Sequence, residues 1–227
     1  MQAICFLSAN KNTKEQERRY FEIPEDINFK KFVITDKKDN LNYNNVNHYT
    51  YSFDKYITDQ SVYRYTYISI VDFYKHNPNY DYYWLIEDDV CFNGNFLTFF
   101  NFYKDKNFDF IVGDFHYNDP NKKGWYNSPY QKITGNYISQ FPIAGGLSFI
   151  CRYSNKLLYK ILELTTQKIY GHCESFPHTV CMHNNFSVHQ LIDDSFFDIK
   201  YCCHDTRIDI NNIEKLPKNI LLHACKF

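Results

Sequence analysis

The chain has 227 residues, 25 of them basic and 26 acidic, for a formal net charge of −1. That balance excludes a general nucleic-acid or anionic-membrane binder, whose surface carries excess positive charge. Hydrophobic residues make up 44% of the chain and aromatics 19%, which supports one well-buried core and excludes disorder. The sequence shows no charged and apolar leader, and no apolar run approaches the roughly 18 residues of a membrane span. A cytoplasmic protein without a transmembrane segment is therefore expected, its 8 cysteines reduced thiols. The abundance of Asn, Lys, Tyr, Phe and Ile fits drift under an AT-rich genome, such as that of a large DNA virus or a protist; for a virus, the location is the host cytoplasm.

In chain order, Met1 to Leu7 reads as an opening strand and Lys14 to Phe21 as helix-forming, with Arg18 and Arg19. Phe29 to Thr35 reads as a second strand closed by Asp36, with a polar loop from Lys37 to Asn47. Strand, helix, strand at this spacing predicts a parallel unit, in which ligands bind beyond the carboxyl ends of the strands. Asp59 to Lys75 carries apolar residues near a helical period, with Asp59 or Ser61 as candidate cap and Pro78 beyond its end. Tyr82 to Ile86 is apolar at both parities, the pattern of a strand covered on both faces.

That strand runs into Glu87-Asp88-Asp89, with Gly94 marking a following turn. Three adjacent carboxylates repel one another, so a divalent cation bridging them to a phosphate is the economical explanation; a solvated acidic turn is the alternative. Phe96 to Tyr103 predicts a helix, and Phe108 to Val112 a strand ending at Gly113-Asp114. Asn118 to Gln140 is a long aromatic loop containing Lys122, Lys123, Trp125 and Tyr126, and loops of that length in compact domains are usually functional.

Gly145-Gly146 precedes an apolar strand, where paired glycines either admit a close backbone or ligand or make a tight turn. Ser154 to Thr165 reads as an amphipathic helix, followed by Gly171-His172-Cys173-Glu174 and the segment Phe176 to Met182. Cys202-Cys203-His204-Asp205 follows a short strand, and the chain ends on a strand-like run, Asn219 to Phe227. With no repeat or linker visible, one domain is expected, residues 1–112 forming a nucleotide-binding half and 113–227 an acceptor-binding half.

Taken together, a parallel N-terminal half, an acid-tipped strand, a glycine pair, a carboxylate at a helix entrance and a C-terminal His and Lys resemble the glycosyltransferases of the GT-A fold. The resemblance covers most of the chain through short motifs. It implies an α/β domain whose central, mixed but mostly parallel sheet is flanked by helices. It also implies transfer of a sugar from a nucleoside diphosphate sugar, a UDP-sugar favoured, to a hydroxyl of a glycan or glycoprotein. Glu87-Asp88-Asp89 looks like the family's DxD motif, here reading EDD. Asp89 would bind Mn²⁺ or Mg²⁺ with His223, and Glu87 and Asp88 would face the nucleotide sugar. His223 and Lys226, spaced HxxK, would supply the metal-site histidine and a diphosphate contact.

Gly145-Gly146 resembles the glycine-rich loop beside the donor sugar, and Glu174 the acceptor-side carboxylate, with Ser175 where a second acid is usual. Glu174 is then the candidate base if the enzyme inverts, with Asp114 the second candidate. Trp125, Tyr126 and His172 are acceptor-binding candidates, flat sugar faces suiting aromatic rings. Ser8, Asn10 and Asp36 sit where this fold contacts base and ribose; Arg18, Arg19 and Arg64 either reach phosphate or, the favoured reading, are solvated cations, Arg64 being kept as a nucleotide-sugar candidate. Two other readings stand: a non-catalytic nucleotide-sugar-binding module, and a structural zinc protein using His172, Cys173, Cys181, His183, Cys202, Cys203 and His204, although no CxxC pair is present. A two-metal phosphoesterase lacks its additional His and Asp spacings.

Overall fold

The structure, a computed structural model, describes residues 1–8, 20–23, 28–36, 46–52, 65–117, 133, 143–194, 198–201, 215 and 217–223. Twelve strands and four α-helices are described: β1 (Gln2–Ser8), β2 (Phe29–Asp36), β3 (His48–Tyr51), α1 (Tyr67–His76), β4 (Tyr82–Ile86), β5 (Cys91–Asn93), α2 (Phe96–Tyr103), β6 (Phe110–Val112), β7 (His116–Tyr117), β8 (Ala144–Gly145), β9 (Ile150–Ser154), α3 (Asn155–Thr166), α4 (Phe176–His183), β10 (Val188–Gln190), β11 (Asp198–Tyr201) and β12 (Ile220–His223).

Seven strands form one sheet in the order β10-β6-β9-β4-β1-β2-β3. Its pairings are parallel except where β9 enters antiparallel between β4 and β6. The fold is thus mixed α/β, a mostly parallel sheet flanked by helices, as the resemblance implies. The sheet draws strands from both sides of residue 112, because β9 and β10 return to pair with β4 and β6.

All seven residues of β1 are buried, and strand geometry sends them alternately to two cores. Ala3, Cys5 and Leu7, with Tyr83 and Leu85 of β4, pack against α1, α3 and α4. Ile4 and Phe6, with Trp84 and Ile86, pack against Phe96, Phe99, Phe100 and Tyr103 of α2. The near-continuous apolar runs of β1 and β4 follow from this double coverage. Arg152, fully buried on the α2 face, donates to the carbonyl of Tyr103, the last residue of α2, and to that of Lys106 just beyond it, and lies 4.0 Å over the Tyr82 ring. Burial lowers its pKa to about 10, so it remains a cation against the negative end of the helix dipole.

Helix α1 begins at Tyr67 with Thr66 at its cap position and no side-chain cap, later than the Asp59 start expected from periodicity. Tyr65 packs edge-on against Tyr170 instead of winding into the helix, and Asp59 and Ser61 lie outside the described residues. Helix α3 starts directly from β9, Ser154 accepting from Leu157 N at 3.1 Å. Strands β3, β5, β7 and β8 are too short, or too evenly polar, to carry a visible period. No described helix is long and apolar enough to cross a membrane.

Candidate active site

Parallel strands β1, β2, β4 and β6 present their carboxyl ends along one sheet edge, the place where open α/β sheets bind ligands. Ser8 and Asp36 end β1 and β2 there, both buried. Asp114, also buried, follows β6. The acidic tip follows β4 as a tight turn, Val90 N reaching Glu87 O at 3.3 Å. The Glu87 and Asp89 side chains lie on one side of this turn, whereas Asp88 is buried. A second, three-stranded sheet, β11-β12-β5, delivers the third group. Because β12 runs antiparallel to β5 with Leu222 opposite Cys91, His223 falls beside the turn. Asn219, at φ 61°, starts that return in a left-handed conformation that asparagine tolerates.

Nε2 of His223 lies 3.3 Å from Asp89 Oδ1 and 3.4 Å from Glu87 Oε2. The three ligand atoms all fall within 4.8 Å of one another. Groups coordinating an octahedral divalent ion at about 2.1 Å stand about 3 Å apart at right angles, so this set fits such an ion. Burial lowers the basicity of His223, but hydrogen bonds to Asp89 and then Glu87 outweigh it and push the pKa up to about 10. With no ion bound, an imidazolium therefore holds the two carboxylates together. Phe149 buttresses both partners: its ring stacks flat on His223 at 4.8 Å and 9°, and its carbonyl accepts from Glu87 N at 2.9 Å.

Residues 146 to 149 tie this cluster to the remaining candidates. Gly146 N donates to Glu174 O at 2.8 Å, and Leu147 N donates to Asp114 Oδ1 at 2.5 Å. Ser148 Oγ donates to Cys173 O at 3.1 Å. A Cβ on Gly146 would stand 2.0 Å from Asp114 O, so glycine is required there by close backbone approach rather than by turn conformation. Gly145 pairs with His116 across β8 and β7. Glu174 is a quarter exposed and its carboxylate is 3.9 Å from His172 Nδ1, which instead accepts from Glu174 N at 3.2 Å.

The structure thus gathers Glu87, Asp89 and His223 into one cluster, and Asp114, Gly145, Gly146, His172 and Glu174 around one loop. Asn10, Arg18, Arg19, Arg64, Trp125, Tyr126 and Lys226 lie outside the described residues. Glu87, expected to face the nucleotide sugar, points into the carboxylate–histidine cluster, because residues two apart in this turn share a side. Sequence reasoning missed His116, 2.8 Å from Asp114 Oδ2, and His48, 2.7 Å from Thr35 Oγ1 at the β2 end; the i, i+2 spacing was the available signal for the first. The described cysteines Cys5, Cys91, Cys151, Cys173 and Cys181 are buried thiols. Among the described residues, Glu87, Asp89 and His223 form the one cluster suited to a metal ion.

No protein-family model matches the sequence, and neither does any curated protein. Among solved structures, the chain is similar to core-mannan synthase A from Aspergillus fumigatus in its Mn/GDP form, at 14% identity and TM-score 0.46, over 85% of this chain and 73% of that one. It is similar to mouse xyloside xylosyltransferase 1, apo form, at 11% identity and TM-score 0.46, over 98% and 96%. It is also similar to the galactosyltransferase LgtC in complex with donor and acceptor sugar analogues, at 10% identity and TM-score 0.47, over 99% and 87%.

Proposed function

We propose that the chain is a divalent-metal-dependent glycosyltransferase of GT-A arrangement, moving a sugar from a nucleoside diphosphate sugar, a UDP-sugar favoured, to a hydroxyl of a glycan or glycoprotein. The observation that carries this reading is the convergence of Glu87, Asp89 and His223 at the carboxyl edge of the sheet. Glu87, Asp89 and His223 would hold the ion. Mn²⁺ or Mg²⁺ held there supplies charge stabilisation to a departing diphosphate. The chain's own groups supply the rest of the site. Ser8 and Asp36, on the same edge, suit a ribose and base, and the bare backbone at Gly145-Gly146 suits close approach of a sugar. Asp114 and Glu174, bonded to the loop that follows, are candidate carboxylates for taking the proton of an acceptor hydroxyl.

Calorimetry with UDP-glucose, UDP-galactose and GDP-mannose, with MnCl₂ or with EDTA, tests the reading. Binding of at least one donor that disappears in EDTA, with release of nucleoside diphosphate on incubation, is the expected result. Metal-independent binding, or none, overturns it. Metal-dependent binding without any release of nucleoside diphosphate assigns the chain to a nucleotide-sugar-binding module.

A further inference from the structure

Phe149 touches two of the three groups at the acidic turn, by two different means. Strand β9 pairs with β4 as far as Ile150 opposite Ile86, and the bond from Glu87 N to Phe149 O at 2.9 Å carries that ladder one residue further. The carbonyl of Phe149 thereby fixes the backbone of Glu87. Its side chain, 2% exposed and packed in one core with Val90, Phe92 and Leu221, lies flat against the His223 imidazole, the centroids 4.8 Å apart and the planes 9° from parallel. The β6 end closes on the same ring. An added Cβ at Gly113, the residue after β6, would stand 3.3 Å from Phe149 Cε1 and 2.9 Å from Leu147 O, and Gly113 N donates to Leu147 O at 3.1 Å. Core packing and the β6 tip therefore leave the Phe149 ring one place to lie.

His223 is placed differently. It is the last residue of β12, one step beyond the Leu222 that pairs with β5, and its side chain is 27% exposed. A partly exposed side chain at a strand end loses rotamer freedom when it is held in one place, and that loss opposes the binding of anything that needs it there. An imidazole nitrogen meets an ion along a lone pair that lies in the ring plane, so the plane decides whether Nε2 points between Glu87 and Asp89 or past them. A flat neighbour restricts that plane. Because a proton on Nε2 and an ion at Nε2 both lie in the plane of the ring, the same contact serves the ring in either state.

We infer that Phe149 is a positioning residue for the metal site, its ring setting the plane of the His223 imidazole and its carbonyl setting the backbone of Glu87; this rests on the metal-dependent transferase reading above. The side-chain share of this role acts through His223, because the contact with Glu87 is made by main chain that any residue at position 149 retains. The two shares are therefore separable by substitution.

The test uses the full chain and Mn²⁺ alone, with binding read from the electron paramagnetic resonance signal of the free ion. Phe149→Leu keeps an apolar side chain but removes the flat face. It is expected to weaken Mn²⁺ binding about fivefold, short of the loss of about tenfold for His223→Ala. Phe149→Met, whose flexible thioether fills irregular core space, makes the same comparison where the leucine variant does not fold. Phe149→Tyr keeps the face and is expected to bind Mn²⁺ as the unaltered protein does. In a His223→Ala background, Phe149→Leu is expected to cost no further affinity, because the imidazole it would misalign is gone. A general loosening of the core would instead lower affinity by the same factor in both backgrounds. Unchanged affinity in Phe149→Leu and Phe149→Met, equal losses in the two backgrounds, or a loss in Phe149→Tyr as large as in Phe149→Leu overturns the positioning role and leaves the transferase reading standing. Unaltered protein that binds no Mn²⁺, or binds it as well after Asp89→Ala, overturns the transferase reading and the positioning role with it. The expected Mn²⁺ pattern without release of nucleoside diphosphate from UDP-glucose, UDP-galactose or GDP-mannose supports the positioning role and overturns the transferase reading alone.

Discussion

The same two residue types meet at both ends of this site and do different things. At the β4 tip two carboxylates, Glu87 and Asp89, converge on one imidazole, His223, which is 27% exposed and pushed up to about pH 10 as an acid. At the β6 tip, among the described residues, His116, 57% exposed, pairs with the carboxylate of Asp114. Two negative charges around one ring make a socket for a cation, filled by a proton when nothing better is present.

The largest effect expected from breaking this contrast is at Asp89. Asp89→Ala removes half of the socket's negative charge at a side chain 37% exposed, so Mn²⁺-dependent nucleotide affinity should fall by about a hundredfold or more with little change in melting temperature. Calorimetry with a UDP-sugar in MnCl₂ checks this, and surviving metal dependence would mean the acidic turn is only solvated. His223→Ala leaves both carboxylates and should cost Mn²⁺ affinity about tenfold, at the lower end for a lost supporting ligand. A loss as large as that of Asp89→Ala would make the histidine the dominant ligand.

At the other end, Glu174→Gln should raise the acceptor Michaelis constant by about tenfold while kcat changes by less than about threefold, because its carboxylate lies beside His172 and serves as an acceptor anchor. Steady-state kinetics decide it. A hundredfold fall in kcat with an inverted product would make Glu174 the base instead.

The last effect is in pH. The folded pKa of His223 lies above its unfolded value of about 6.5. Its pairing therefore contributes stability that is complete below about pH 6.5 and is lost as pH rises toward about 10. In EDTA the melting temperature should decline across that window, with a slope of at most about 1.4 kcal/mol per pH unit, and His223→Ala should flatten it. Mn²⁺ affinity should run the opposite way, rising with pH, because only the neutral imidazole can ligate an ion. A metal-free profile unchanged by His223→Ala would mean that the carboxylates do not hold the ring.

What could be read from the sequence was local. The double-sided apolar pattern of Tyr82 to Ile86, the parallel β1 and β2, the helix after Ser154 and the acidic tip with its cation logic all follow from period, capping and charge within a few residues. His223 and Lys226 entered only through a resemblance of spacing. Tertiary structure decided which groups meet. The β12–β5 register brings His223 to the acidic turn, and the turn itself puts Glu87 beside Asp89 instead of facing outward. Gly146 is demanded by the backbone of Asp114, a strand away, which no turn rule reveals. Asp114 and His116 are two residues apart, yet their pairing depends on Leu147 holding the carboxylate from across the loop. Local pattern is written by neighbours along the chain, whereas convergence depends on strand order and register, and those are settled by burying both faces of one sheet at once.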